Sequence, residues 1–137
     1  MPKKILIVED DDLIQRVIAW RLTSLGYAVC GKAATAEDAF SLVKETAPDA
    51  IIMDIHLAGR LDGIDAALAI KKMYDLPVIF LSAHSTDKEL ERAKLVPPSG
   101  YILKPFNDTD LRVALELALK NQDNTTEDSD DLAGKLL

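Results

Sequence analysis

Five short apolar runs, each followed by a longer stretch of helical period, constrain this chain more than any other feature. The runs are Lys4 to Val8, Tyr27 to Ala33, Ala50 to Met53, Val78 to Leu81 and Tyr101 to Leu103. Short runs that are almost unbroken in apolar character predict strands buried on both faces. Between the first two, Ile14, Val17, Ile18, Leu22 and Leu25 recur at helix spacing and stop at Gly26, which suits a left-handed helix end. Thr35-Ala-Glu-Asp38 has the form of a capping box ahead of Ala39, Phe40, Leu42 and Val43, and Pro48 closes that helix. Three more helical segments run from Gly63 to Tyr74, Thr86 to Leu95 and Asp108 to Lys120, the last with Asn107 as its N-cap. Five βα units predict an α/β fold: a doubly wound, five-stranded parallel sheet with helices on both faces.

The chain has 137 residues, 48% of them hydrophobic, enough for one domain with a core of its own. Residues 1–121 are expected to form that domain. In 122–137, Asp123, Glu127, Asp128, Asp130 and Asp131 stand against Lys135, a net −4 of the chain's −7, among Asn, Thr, Ser and Gly. Such a segment buries too little apolar area to order itself and reads as an acidic disordered tail or linker. The acidic balance argues against direct nucleic-acid binding and against an anionic membrane surface. No apolar stretch approaches the roughly 20 residues of a membrane span, and there is no secretory leader, so a cytoplasmic protein is expected. The single cysteine, Cys30, excludes an internal disulfide and reads as a buried thiol.

In a parallel α/β sheet, reactive groups gather at the carboxyl ends of the strands beside the switch in strand order. The residues just after the apolar runs are Glu9 and Asp10, then Asp54, Ser82 and Lys104, while the second run ends without comparable chemistry in Lys32, Ala33 and Ala34. Three converging carboxylates raise one another's pKa values unless a cation lies among them, and all-oxygen ligands favour a hard ion, Mg²⁺ or Mn²⁺. Magnesium is commonly held by one or two carboxylates plus phosphate oxygens and water, so a phosphoryl group is the natural further ligand. Lys104 and Ser82 suit its oxygens, and Asp54 is the expected acceptor.

The stretches "KKILIVEDDDLIQRVI", "PDAIIMDIHL", "LDGIDAALAIK", "PVIFLSA" and "GYILKPF" resemble the receiver domain of two-component response regulators, from about Lys3 to Lys120. The resemblance implies a flavodoxin-like (βα)5 fold and a switch in which Asp54 takes a phosphoryl group from a sensor histidine kinase or phosphotransfer protein. It further implies that Asp10, Asp54 and the backbone carbonyl of His56 bind Mg²⁺, with Glu9 acting through water. Ser82 becomes the switch hydroxyl, Lys104 the phosphoryl contact, Tyr101 the aromatic that moves with Ser82, and Lys104–Pro105 a cis bond. Two alternatives stand beside this reading: a Mg²⁺-dependent phosphohydrolase working through an aspartyl phosphate, and a receiver-like module that binds partners without phosphorylation. The hydrolase would want a second acid two residues past the nucleophile, where this chain has His56.

The chain departs from the common pattern in the loop after Asp54, which is one residue longer and has Ala58 in place of a frequent proline. That loop is expected to be more mobile. His56 and His84 follow Asp54 and Ser82 by two residues, beside the path of a hydrolytic water in this family, as modulators of dephosphorylation or as bystanders. Within "VEDDD", Glu9 and Asp10 fall to the metal pocket, Asp12 to capping the first helix, and Asp11 to no role. Trp20 lies off the apolar stripe of its helix, as surface packing. Leu111, Val113, Ala114, Leu115, Leu117, Ala118 and Leu119 cover more than one helix face; with Leu95, Val96 and Tyr101 they fit either a docking or homodimer surface along the fourth and fifth helices, or crowding of a small core. No output module is recognisable, so the output partner is open and the sequence reads as a stand-alone receiver or one ending in a linker.

Overall fold

A computed structural model describes residues 1–83, 86–96 and 99–120; the expected acidic tail and His84 lie outside the described residues. The elements follow in strict alternation: β1 (Lys4–Val8), α1 (Asp12–Ser24), β2 (Ala28–Ala33), α2 (Ala36–Thr46), β3 (Ala50–Asp54), α3 (Gly63–Met73), β4 (Val78–Ser82), α4 (Asp87–Ala93) and β5 (Ser99–Leu103). A last helix, α5, covers 108–120. The strands form one parallel sheet in the order β2-β1-β3-β4-β5, with the order reversing around β1. This is the five-unit, doubly wound α/β fold that the alternation predicts.

Alternate residues of the central strands face opposite layers, as the two-residue period of a strand requires. Leu6, Val8, Ile51, Met53, Val78 and Phe80 pack with Ala39 and Val43 of α2, Ile64, Ala67 and Ile70 of α3, and Ala93 of α4. Ile5, Ile7, Ile52, Ile79, Leu81 and Ile102 pack with Ile18 and Leu22 of α1 and with Leu111, Leu115 and Ala118 of α5. Removal of these side chains from water on both faces supplies the main drive for the sheet, at about 25 cal/mol per Å² of apolar area. Trp20 stays on the surface, 71% exposed. The α5 surplus divides between the alternatives: Leu111 and Leu115 are core, while Val113 and Leu117 are exposed, as are Leu95 and Leu103.

Strands β3 and β4 each run one residue beyond their apolar stretch, and those extra residues are Asp54 and Ser82. The parallel ladder continues through them: Asp54 stands opposite Leu81, the Ile55 N–H donates to the Leu81 carbonyl at 3.0 Å, and the Lys104 N–H donates to the Ser82 carbonyl at 2.8 Å. Two polar side chains are thus presented from rigid backbone. Strand β5 likewise begins earlier than its apolar run, at Ser99, because pairing with β4 depends on backbone groups and tolerates Gly100.

The caps hold one correction. Asp11, not Asp12, is the N-cap of α1: its carboxylate accepts from the N–H groups of Leu13 at 2.9 Å and Ile14 at 3.1 Å. The reason is backbone geometry. A cap residue sits outside the helix in extended conformation, which Asp11 adopts with φ −85° and ψ 116°, whereas Asp12 is already helical and pairs with Arg16 at the surface. The box at Thr35 forms its first half, with Asp38 N–H on Thr35 Oγ1, and α2 ends on Ala47 in the left-handed region at φ 46° just before Pro48. Asn107 and Asp110 cap α5 reciprocally, Asn107 Oδ1 accepting at 2.8 Å and Asp110 Oδ2 at 3.2 Å. Helix α3 opens on a reciprocal box between Asp62 and Asp65. The longer loop before it is tied inward by buried Ile55 and Leu57 and by the Gly63 N–H on the Ile55 carbonyl at 2.8 Å.

Asp11→Ala should therefore cost about 1 kcal/mol of stability, and Asp12→Ala less than about 0.5 kcal/mol, as for an exposed i,i+4 pair; urea unfolding of the two variants checks the order. Gly63 is a second sensitive point, because a Cβ there would run into the backbone carbonyl of Asp54. Gly63→Ala should lose about 3 kcal/mol or more, since backbone cannot give way as a side-chain tip does, and thermal melts would read it.

Candidate functional site

The carboxyl ends of β1, β3, β4 and β5 bring five of the sequence-identified side chains to one place. Glu9 is 1% exposed and Asp54 4%, while Asp10 stands at the open rim. One carboxylate oxygen from each lies within 4.8 Å of the others. Lys104 reaches in from the β5 end, its Nζ 2.9 Å from Glu9 Oε1 and 3.4 Å from Asp54 Oδ2. The other Asp54 oxygen, Oδ1, accepts from the His56 backbone N–H at 3.1 Å. Glu9 Oε2 accepts from the Asp11 N–H at 3.3 Å, and the Gln15 amide spans the Glu9 and Ala33 carbonyls. The β1–α1 turn is thus fixed from both sides.

The charges strain against one another. Burial pushes the Glu9 carboxyl above its usual range, and its neighbour Asp54 adds to that rise more than the Lys104 ammonium takes away. Asp10 is raised too, first by burial and then by Glu9, with the Ala58 backbone N–H drawing it partly back. For Lys104, burial works against the charged form, but the bonds and charges of Glu9 and Asp54 outweigh it and leave the pKa raised. One ammonium among three carboxylates leaves excess negative charge in an oxygen-lined pocket, and that donor set fits a hard divalent cation.

Ser82 is fully buried at the end of β4. It donates to Glu89 Oε2 of α4 at 2.7 Å. The Tyr101 hydroxyl donates to the same oxygen at 2.7 Å, and His56 Nε2 meets the other, Oε1, at 2.8 Å. Burial raises the Tyr101 pKa; Ser82 draws it back, and Glu89 adds to the rise. The resemblance pairs Tyr101 with Ser82 and the sequence sets His56 beside Asp54, but neither reveals Glu89, the residue that joins all three. The signal was hidden: Thr86-Asp-Lys-Glu89 reads as a capping box, which accounts for the acid locally. Only its first half forms here with Thr86 as cap, the Glu89 N–H donating to Thr86 Oγ1 at 3.2 Å while the carboxylate turns inward.

A second tie joins α4 to the site. Arg92 grips Asp62 with both guanidinium nitrogens, at 2.7 and 3.2 Å, and reaches Asp65 at 3.1 Å. Burial would raise the Asp62 carboxyl, but the hydrogen bonds and charge of Arg92, together with the hydrogen bonds of Asp65, more than reverse this and hold it below the usual range. The cap of α3 is thereby clamped to α4. The Lys104–Pro105 bond is cis, as the resemblance implied.

Comparison with known proteins agrees with this geometry. Residues 5–116 match the family model of the response regulator receiver domain. The transcriptional regulatory protein PdtaR of Mycobacterium tuberculosis is 38% identical over 119 residues, 87% of this chain and 58% of PdtaR. The transcriptional regulatory protein YvrH of Bacillus subtilis is 34% identical over 125 residues, 91% of this chain and 52% of YvrH. The chain therefore spans between about half and three-fifths of the length of these relatives. Among solved structures, the signal receiver domain of a modulated diguanylate cyclase from Desulfovibrio desulfuricans G20 superposes with a TM-score of 0.86 at 33% identity, covering 91% of this chain and 99% of that one. The N-terminal domain of a response regulator/sensory box/GGDEF protein from Carboxydothermus hydrogenoformans gives 0.82 at 38% identity, covering 90% and 99%. On its fold, its acid–lysine pocket and these matches, the chain belongs to the receiver domains of two-component response regulators.

Proposed function

We propose that Asp54 is the phosphoryl acceptor of this receiver, taking the group from a phosphohistidine on a sensor kinase or phosphotransfer protein and losing it again to water. The observation that carries the reading is the buried Asp54 carboxylate with Lys104 at 3.4 Å and Glu9 and Asp10 beside it, at the carboxyl end of the central strand. An Asp54 oxygen attacks phosphorus in line, the P–Oδ bond forms as the P–N bond of the phosphohistidine breaks, and the imidazole leaves. Little covalent work falls to the rest of the pocket, so its contribution is positioning and charge. Lys104 offsets charge on the transferred oxygens. Ser82 turns its hydroxyl to one of them, Tyr101 follows it inward, and the shift biases an existing two-state equilibrium.

Glu9, Asp10, Asp54 and the His56 carbonyl would hold Mg²⁺ or Mn²⁺. When bound, the ion offsets phosphoryl charge and relieves the repulsion among the acids. His56, anchored by Glu89 two residues from the acceptor, bears on the water that hydrolyses the acyl phosphate. A cytoplasmic location accords with a kinase partner, and among the described residues no helix is long and apolar enough to cross a membrane. Leu13, Val17 and Trp20 form an exposed apolar ridge on α1 directly after the acid pair, a face on which a phosphodonor protein can rest. Exposed Leu103, Val113 and Leu117 between β5 and α5 offer a separate face for an output partner or a second copy.

Incubation with acetyl phosphate and Mg²⁺ should add the mass of one phosphoryl group, and Asp54→Ala should add none. Turnover of unrelated phosphate esters would favour the phosphohydrolase, and no modification and no turnover would favour a phosphorylation-independent module. The ion leaves its own mark on stability. At a hundred times its Kd, Mg²⁺ should stabilise the wild-type chain by about 2.7 kcal/mol. Asp10→Asn should melt higher than wild type without Mg²⁺, because a repelled carboxylate is gone, and should lose most of the Mg²⁺ increment; thermal denaturation with and without EDTA measures both.

A further inference from the structure

Glu89 is the buried acid that phosphotransfer does not use. Its side chain is 8% exposed, and its two oxygens serve three side chains from three segments: Ser82 of β4, Tyr101 of β5 and His56 of the β3–α3 loop. A carboxylate withdrawn from water needs such hydrogen bonds to replace its hydration. The arrangement has one consequence that sequence could not reveal. A serine hydroxyl has a single proton to donate, and here that proton goes to Glu89 Oε2 at 2.7 Å. A phosphoryl oxygen on Asp54 would call for the same proton, so the two acceptors exclude each other.

We propose that Glu89 is a positioning residue that latches the unphosphorylated arrangement: it competes with the phosphoryl group for the Ser82 hydroxyl, and phosphorylation exchanges the Ser82–Glu89 bond for a Ser82–phosphoryl bond. The inference rests on Asp54 being the acceptor. Glu89 also holds Tyr101 and His56 in this arrangement, so it links the acceptor loop, the β5 aromatic and α4 to the state of one hydroxyl. Arg92, one turn further along α4, adds the grip on Asp62 and Asp65 that keeps the helix near enough for the latch to close again.

The test is calorimetric titration of the full chain with beryllofluoride, a phosphoryl analogue, in excess Mg²⁺. Glu89→Gln keeps the shape but replaces a charge-assisted bond by a neutral one, and should lower the half-saturating concentration about five- to tenfold. Glu89→Asp, which retracts the carboxylate from Ser82 and keeps its charge, should move it the same way and takes over the comparison if Glu89→Gln fails to fold. The gain must pass through the serine proton. In a Ser82→Ala background, which should bind more weakly but measurably, Glu89→Gln should change affinity less than about twofold. An equal gain in both backgrounds would mean that Glu89 acts only as a charge repelling an anion, and would overturn the latch. An unchanged affinity with Ser82 present would overturn it as well. Failure of the wild-type chain to bind beryllofluoride in the Asp54-dependent manner would overturn the acceptor reading first and the latch with it, so the two failures are told apart.

Discussion

The ammonium of Lys104 lies 2.9 Å from Glu9 and 3.4 Å from Asp54, and the rest of the site is arranged around that cation. Without it the pocket would hold three carboxylates within 4.8 Å of one another in a partly buried space, an arrangement that Coulomb repulsion alone would open. Lys104 does not cancel the repulsion, since Glu9 and Asp10 stay above their usual pKa range. It reduces the repulsion to what two well-packed apolar layers can tolerate. The remaining negative charge gives the pocket the donor set of a hard-cation site, with one ammonium at its inner end.

Holding that imbalance in place falls to the backbone. Asp54 and Ser82 belong to the ladder, Asp54 followed by the Ile55–Leu81 bond and Ser82 accepting from the Lys104 N–H, so neither can retreat by bending its own chain. Glu9 is similarly fixed by the turn into α1, where Asp11 receives two helix N–H groups and gives its own N–H to Glu9. Stability and chemistry are thus shared out among neighbours in "VEDDD". Asp11 stabilises the helix that follows, while Glu9 and Asp10 cost stability in the apo pocket.

Much of this was legible in the sequence because it depends on local pattern. Apolar period fixed the five strands and five helices, and the position just past each run picked out Glu9, Asp10, Asp54, Ser82 and Lys104. The errors have local causes too. Apolar character stops at Met53 and Leu81, yet Asp54 and Ser82 continue the ladder because pairing involves backbone, not side chains. The choice between Asp11 and Asp12 as cap is one residue at the start of a helix and cannot be read from charge alone; it depends on where the backbone leaves the extended region, which is at Asp11. Glu89 and Arg92 are a different kind of miss. Their partners lie 7 to 33 residues away, on β4, β5 and the acceptor loop for Glu89 and on the α3 cap for Arg92, and nothing in the heptapeptide DKELERA announces them.

Helix α4 differs from the others in what holds it. The apolar faces of α1, α2, α3 and α5 are each anchored by two or more buried apolar side chains, whereas within the seven residues of α4 Ala93 is the one buried apolar residue, beside the buried Glu89. Hydrophobic burial is non-directional, so it does not depend on where a single proton sits. Polar contacts are directional and exchangeable. Glu89 and Arg92, three residues apart and so on one side of the helix, tie α4 to the switch hydroxyl on one hand and to the cap of α3 on the other. In the proposed latch, a single proton changing acceptors would act on a helix that the described residues hold largely through polar contacts. Under the proposed exchange, a phosphoryl group on Asp54 would reach α4 through Ser82 and Glu89.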